Sequence, residues 1–331
     1  MMTTQAQIDE ARLMDLVGQA VNDMGSGMLG NLIFIGDKLG LFRGLAHVAP
    51  MTPGELAAKT GTAERYVREW LNAQAAGGYV TYAGDGKYTL SPEQAEALTN
   101  EESPACVLGG FQGLMAATMV RDRLMQAFKT GEGIGWHEHD ANLFEGTERF
   151  FRPGYAANLV ASWLPALDGV VAKLEQGADV ADVGCGHGAS TIIMAKAYSK
   201  SKFTGFDYHR PSIDAAKDAA RKAGVSNADF QTASAKDYPG KYDLVAHFDC
   251  LHDMGDPVGA AEYTLKTLKP HGTWMIVEPF ANDDVAQNLN PVGKVYYAAS
   301  TFICTPASLS QEVGLALGAQ AGESRMREVV T

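Results

Sequence analysis

The chain has 331 residues, 46% of them hydrophobic and 20% charged, with a net charge of −12. That length suits two domains and that composition a soluble globular protein. It contains no run of 18 apolar residues that would span a membrane, and its acidity opposes global binding to nucleic acid, whose affinity comes from neutralising phosphates.

The start, Met1 to Glu10, is polar and acidic, unlike a secretory leader. Residues 8–24 are expected to be helical, with Leu13, Val17, Ala20 and Val21 on one face, and Asn31 to Phe42 to form a second, buried helix. Thr52 and Glu55 make a capping box with Pro53 at the first helical position. That short helix stops at Gly61. Thr62 is expected to cap the next helix, which carries Val67, Trp70, Leu71 and Gln74 on one side and ends at Gly77-Gly78. Tyr79–Tyr82 and Lys87–Leu90 flank Asp85-Gly86, a strong hairpin signal. Helix, turn, helix and a two-stranded wing predict a winged helix-turn-helix.

Leu108 to Phe128 is expected to be helical and Gly131 to Gly135 to break the chain. Trp136 to Phe151, which includes Trp136-His137-Glu138-His139-Asp140, is rich in aromatic and ionisable residues and lacks clear periodicity. Phe150 to Leu167 reads as helix interrupted at Pro153-Gly154. From Asp179 onward strands and helices alternate: strands at Val180–Val183, Phe203–Phe206, Phe230–Thr232, Tyr242–Phe248 and Trp274–Val277, and helices opening at Ser190, Pro211 and Asp256-Pro257, the last ended by Pro270–Gly272. Such alternation predicts a parallel sheet with helices on both faces. Beyond it, helical stretches are expected over Ala307–Leu317 and Glu323–Val330.

The chemistry concentrates at two places. Asp182-Val183-Gly184-Cys185-Gly186-His187-Gly188 follows a strand and opens a helix. Its glycines permit a tight turn and close approach of a ligand. Asp207 closes the next strand, where an acid binds ribose hydroxyls. The second place is Leu251-His252-Asp253-Met254-Gly255-Asp256-Pro257, with a histidine at the end of the fourth strand.

These two segments resemble motifs of class I S-adenosylmethionine-dependent methyltransferases, and "LHDMGDP" resembles the "LHDW-x-D" motif of small-molecule O-methyltransferases with Met254 in place of Trp. The resemblance covers roughly residues 25–331 and points to the bacterial group with an N-terminal winged helix. It implies a Rossmann-like α/β domain with S-adenosyl-L-methionine as cofactor, held by Asp182, Gly184, Cys185, Gly186, Asp207 and Tyr208. Ser234 and Ala235, or Asp237 in their stead, would border the adenine, and Phe248 and Asp249 the methionine moiety. It also implies His252 as general base, with Asp253 orienting it or capping the next helix. Phe151, Arg152 and Tyr155 are the expected lid over cofactor and acceptor, with Arg152 meeting the cofactor's carboxylate. No metal site is expected. Phe150, Phe151, Tyr155, Tyr296, Tyr297 and Phe302 suggest an apolar or aromatic acceptor.

The expected organisation is a winged-helix dimerisation domain over 1–100, a helical linker and lid over 101–170, and the catalytic domain over 171–331. The last two sheet strands of the class are missing from the pattern, so strand five becomes an edge and the C-terminus reads as truncated. Residues 1–100 hold seven basic and eleven acidic side chains, which favours a homodimerisation platform over a DNA reader. Four widely spaced cysteines without a CxxC pair fit a cytoplasmic protein. The rival readings are an S-adenosylmethionine-sensing transcriptional regulator and an inactive pseudo-enzyme.

Overall fold

The computed structural model describes residues 8–331; the leader reading falls in part on residues 1–7, outside the described residues. The chain divides into two compact units at Phe111/Gln112.

The first unit opens with α1 (Glu10–Lys38), one continuous 29-residue helix where two were expected. Gly25, Gly27 and Gly30 lower helix propensity, yet the hydrogen-bond ladder runs through all three. The expected second helix instead breaks at Gly40, whose φ of 70° starts a separate short helix, α2 (Leu41–Leu45). α3 (Pro53–Thr60) carries the expected capping box: the Glu55 N–H donates to Thr52 Oγ1, and the Thr52 N–H donates back to the Glu55 carboxylate. α4 (Glu64–Ala76) starts after Ala63 and is not capped by Thr62, whose hydroxyl meets that of Thr60 at 2.8 Å. It buries Val67, Trp70, Leu71 and Gln74, the i, i+3, i+4, i+7 stripe. β1 (Thr81–Gly84) and β2 (Lys87–Thr89) pair antiparallel across Asp85 and Gly86, at φ 50° and 69°, the left-handed pair that a type I′ hairpin turn requires. α5 (Pro92–Thr99) completes a core around Ile33, Phe42, Leu56, Leu71 and Leu98.

α6 (Leu108–Ala117) spans the boundary between the units. The second unit continues with α7 (Arg121–Thr130) and α8 (Ala141–Asn158). α8 begins at Ala141, within the stretch where no periodicity was seen, and runs without the interruption expected near Pro153-Gly154. Proline forfeits one backbone bond, but the helix continues to Asn158 and loosens only over Leu159–Trp163, a π-helical turn. After α9 (Val170–Gln176) come β3 (Asp179–Val183), α10 (Ala189–Ala197), β4 (Lys202–Asp207), α11 (Arg210–Ala223), β5 (Ala228–Thr232), β6 (Tyr242–Phe248), α12 (Pro257–Thr267) and β7 (Leu268–Val277). β7 begins six residues before the expected Trp274. The supposed helix stop at Pro270–Gly272 is a bulge in the ladder, where Tyr242 pairs with Leu268 but Leu244 already pairs with Thr273.

The five strands form one parallel sheet in the order β5-β4-β3-β6-β7. Chain order reverses at β3, so β4 and β6 leave its two sides and a crevice opens at the carboxyl ends of these strands. That is where the glycine loop, Asp207 and His252 converge. After β7 the described residues are helical or irregular: α13 (Pro291–Phe302), α14 (Cys304–Leu309) and α15 (Gly322–Val330). The helix expected over Ala307–Leu317 ends at Leu309, because Val313, Gly314 and Ala316 adopt positive φ.

Candidate active site

Val183 ends β3, and Gly184, Gly186 and Gly188 follow at φ 78°, 52° and 79°. A Cβ on Gly184 would lie 2.6 Å from Cys250 Sγ, and one on Gly188 would lie 2.6 Å from the Phe230 ring, so both glycines are needed for packing. A Cβ on Gly186 meets nothing within 4 Å, which leaves that stretch of backbone open to a ligand. The Gly186 N–H donates to Asp207 Oδ2 at 3.0 Å, and the His209 N–H donates to Oδ1 at 2.8 Å. Asp207 is thereby fixed at the end of β4. Burial raises its carboxyl above the ordinary range, against those two amide bonds.

Asp182 is buried on β3. Ser190 and Thr191 donate to its Oδ2, each at 2.6 Å, while Oδ1 is buried without a partner. Burial lifts this carboxyl to about 6. The orphaned oxygen, the open glycine cradle and the anchored Asp207 fit an adenosyl amino acid: an ammonium group for a carboxylate and hydroxyl groups for Asp207. Cys185 contributes backbone only. Its N–H donates to the Phe206 carbonyl, and its side chain packs with Ile192, Ile213 and Phe230. Tyr208 is 45% exposed, with its ring 6.3 Å from that of His137. Ser234 and Ala235 follow β5, where the Asp237 N–H donates to the Ser234 carbonyl.

Phe248 and Asp249 end β6. The Phe248 ring lies 5.5 Å from Tyr155, and the Tyr155 hydroxyl donates to Asp249 Oδ2 at 2.6 Å. Asp249 sits at φ 49°, in the left-handed region that aspartate enters more readily than most side chains, and burial raises its carboxyl to about 7. Phe151 stacks on Tyr155 at 5.9 Å between ring centres. Arg152 pairs with Glu148 one turn back at 2.9 Å.

His252 lies on a single 3-10 turn, Leu251–Asp253, and is 5% exposed. Its Nδ1 contacts Glu278 Oε2, and its Nε2 lies 3.1 Å from Asp253 Oδ1. The other Glu278 oxygen accepts the Leu251 N–H at 2.8 Å, which locks the carboxylate in place. Burial by itself would lower the imidazole. Asp253 and Glu278 outweigh it and raise His252 well above its usual value. Cys304, at the start of α14, completes the group: nitrogen, oxygen and sulfur of His252, Asp253 and Cys304 lie within 4.8 Å of one another. These are ligand types that Zn²⁺ accepts, although both imidazole nitrogens already face carboxylates.

Glu278 escaped the sequence reading. Its signal was present: an acid closes the apolar end of β7 as Asp207 closes β4. His139 is the second residue whose place was not foreseen; it is buried, and neither ring nitrogen has a hydrogen-bond partner among the described residues.

Residues 174–314 match the sequence family described as a methyltransferase domain, and residues 27–100 match the Rv2258c-like winged helix-turn-helix domain. The 27-O-demethylrifamycin SV methyltransferase of Amycolatopsis mediterranei is 27% identical over 169 residues, which cover 48% of this chain and 57% of the relative. A ubiquinone biosynthesis O-methyltransferase of Paracidovorax citrulli is 30% identical over 154 residues, 45% of this chain and 61% of the relative. The chain thus matches less than two thirds of the length of these relatives. Among solved structures, the mitomycin 7-O-methyltransferase MmcR superposes with a TM-score of 0.69 at 19% identity, over 96% of this chain and 92% of that one. Human N-acetylserotonin methyltransferase in complex with SAM gives 0.69 at 18%, over 100% and 92%. At such identities the superpositions speak for the fold.

Residues 174–314 are thus a methyltransferase domain with the class I fold, whose cofactor is S-adenosylmethionine. The chain is of the kind that carries a winged helix of the Rv2258c-like type ahead of that domain.

Proposed function

We propose that the protein transfers a methyl group from S-adenosylmethionine to a hydroxyl oxygen of an apolar or aromatic small molecule, with His252 as general base. The bound cofactor supplies an activated methyl group. Gly184 and Gly186, with Asp182 and Asp207, hold it at the carboxyl ends of β3 and β4, and Asp249 borders its methionine end. Ser234 and Ala235 border the adenine. Phe151 and Tyr155 exclude water from the same crevice, with Arg152 alongside. His252 Nε2 would take the proton of the acceptor hydroxyl as that oxygen receives the methyl group, which the cofactor's sulfonium sulfur would release, leaving S-adenosylhomocysteine. Glu278 receives the Nδ1–H, so that once the imidazole, whose pKa is raised, gives up its other proton the lone pair is on Nε2, and Asp253 faces the charge that develops there.

The observation that carries this reading is the His252–Glu278 pair at the end of β6, beside the open glycine loop. Calorimetric titration with S-adenosylhomocysteine tests its foundation. Binding in the micromolar range is expected, and Asp207→Ala should weaken it about 10- to 150-fold, the equivalent of roughly 1.5–3 kcal/mol for a hydrogen bond to a charged group. Equal affinity in parent and variant would remove Asp207 from the site.

The first unit serves as a dimerisation platform in this proposal. Leu13, Leu16, Val17, Val21, Met24 and Met28 of α1 are all at least 44% exposed, a long apolar stripe. Leu32, Ile35, Leu39, Leu41, Tyr66 and Trp70 line an apolar groove of about 320 Å³ nearby in the same unit. A second copy supplies the cover that such a surface requires. Val17→Asp with Val21→Asp should convert a dimer to a monomer in sedimentation analysis; an unchanged mass would place the interface elsewhere.

The winged-helix match favours a second reading, a DNA-binding regulator. Against it, Arg65 and Arg68 of α4 are tied to Glu69 and Glu64, each at 2.6 Å. A salt-dependent gel shift on promoter DNA would revive it. Among the described residues no helix is long and apolar enough to cross a membrane, and four free cysteines fit the reducing cytoplasm.

A further inference from the structure

His139 stands out because its neighbours in sequence are spoken for and it is not. The Glu138 carboxylate accepts the Gly135 N–H and an Arg123 N–H, each at 2.7 Å. Asp140 caps α8 by accepting the Asn142 N–H at 2.9 Å. The backbone of His139 is held as well, its N–H donating to the Trp136 carbonyl at 3.2 Å. The imidazole, by contrast, is only 7% exposed, and neither Nδ1 nor Nε2 has a hydrogen-bond partner among the described residues. A buried polar ring with both nitrogens unsatisfied calls for an explanation.

Its surroundings supply one. The ring lies 6.5 Å from that of Trp136, which joins Phe144, Leu143, Phe302 and Ile303 in one apolar cluster. Phe302 and Ile303 directly precede Cys304, which lies against His252. The Ile134 N–H donates to the Pro306 carbonyl at 2.9 Å, fixing this segment to α14. Burial and the Arg123 charge lower the His139 imidazole, and the charges of Glu138 and of Asp253, the residue facing His252 Nε2, oppose them. A second histidine is therefore held on a segment bonded to α14, the helix that begins at Cys304 beside His252, among aromatic side chains, with its hydrogen-bonding capacity unused among the described residues. Burial favours its neutral form, which offers one donor and one acceptor.

We propose that His139 is an acceptor-binding residue that hydrogen-bonds a second polar group on the acceptor, next to the hydroxyl handled by His252. The acceptor class is then a planar aromatic ring carrying two neighbouring hydrogen-bonding groups, as in a vicinal diol. This inference rests on the O-methylation reading and narrows it. A site built to hydrogen-bond a substrate group discriminates strongly against the analogue that lacks it, because its own polar group is then left unpaired.

The test uses the full chain saturated with S-adenosylhomocysteine, with catechol and phenol as probes and ¹⁵N-labelled histidine as reporter. Catechol is expected to bind saturably, at least about 10-fold tighter than phenol, and to move the His139 ring resonances. His139→Phe should erase the catechol preference and melt no lower than the parent, since no protein hydrogen bond is lost. His139→Gln, which keeps a donor and an acceptor, should retain part of the preference. A lower melting temperature in both variants would make His139 structural and overturn the proposal. So would equal binding of the two probes, or no binding of catechol, by protein that has bound S-adenosylhomocysteine. Failure to bind S-adenosylhomocysteine would instead strike at the methyltransferase reading itself, so the two failures are distinguishable.

Discussion

Replacing His252 with alanine is expected to lower methyl transfer by about 10²- to 10⁴-fold, the usual worth of a positioned general base, while S-adenosylhomocysteine affinity stays within about twofold. The split follows from geometry. The open Gly186 backbone and the orphaned Asp182 oxygen belong to the cofactor side of the crevice, whereas His252 meets Glu278, Asp253 and Cys304. The pH dependence carries the sign. His252 is raised well above its ordinary value because two carboxylates outweigh burial. A raised base holds its proton through neutrality, so turnover should climb as pH rises above about 6.5 and level off only past the elevated pKa. Stopped assays from pH 6 to 10 would read this profile. Comparable losses of turnover and cofactor affinity in His252→Ala would assign the residue to packing instead.

Glu278→Ala should produce the largest loss of stability, about 3–5 kcal/mol, the range for removing one partner of a buried charge pair. Two contacts disappear at once. The imidazole loses its Nδ1 partner, and the Leu251 N–H loses its acceptor. The linkage has a definite direction. A histidine whose folded pKa is raised contributes stability that is fully present below the unfolded value of about 6.5 and fades as pH rises through the folded one. The destabilisation by Glu278→Ala should therefore be greatest in mildly acid solution and shrink toward alkaline pH. The variant's pH–rate limb should move toward acid, because one of the two raising charges is gone. Glu278→Gln, which can still accept the Leu251 N–H, should recover part of the stability but not the original pH profile. Chemical denaturation at pH 6 and 9 separates these outcomes. A pH-independent loss would show that Glu278 acts through packing alone.

Much of the architecture was legible residue by residue because its causes are local. The Thr52/Glu55 box, the Asp85-Gly86 hairpin turn and the buried stripe of α4 follow from turn chemistry and periodicity within a few positions. The glycine loop and Asp207 were legible because a strand, a left-handed turn and an acid at a strand end each leave a short-range mark. The misreadings were local rules overruled by wider packing. Glycines did not break α1, and Pro153 did not end α8.

What the tertiary structure decided was which side chains meet. Glu278 lies 26 residues from His252 and reaches it because β7 pairs beside β6. Tyr155 lies 94 residues from Asp249 and becomes its donor only once α8 packs near the end of β6. The solitary state of His139 is a property of everything that fails to reach it. Periodicity and turn preference are written into neighbouring residues, whereas the pairing of side chains at strand ends depends on the order in which distant strands assemble.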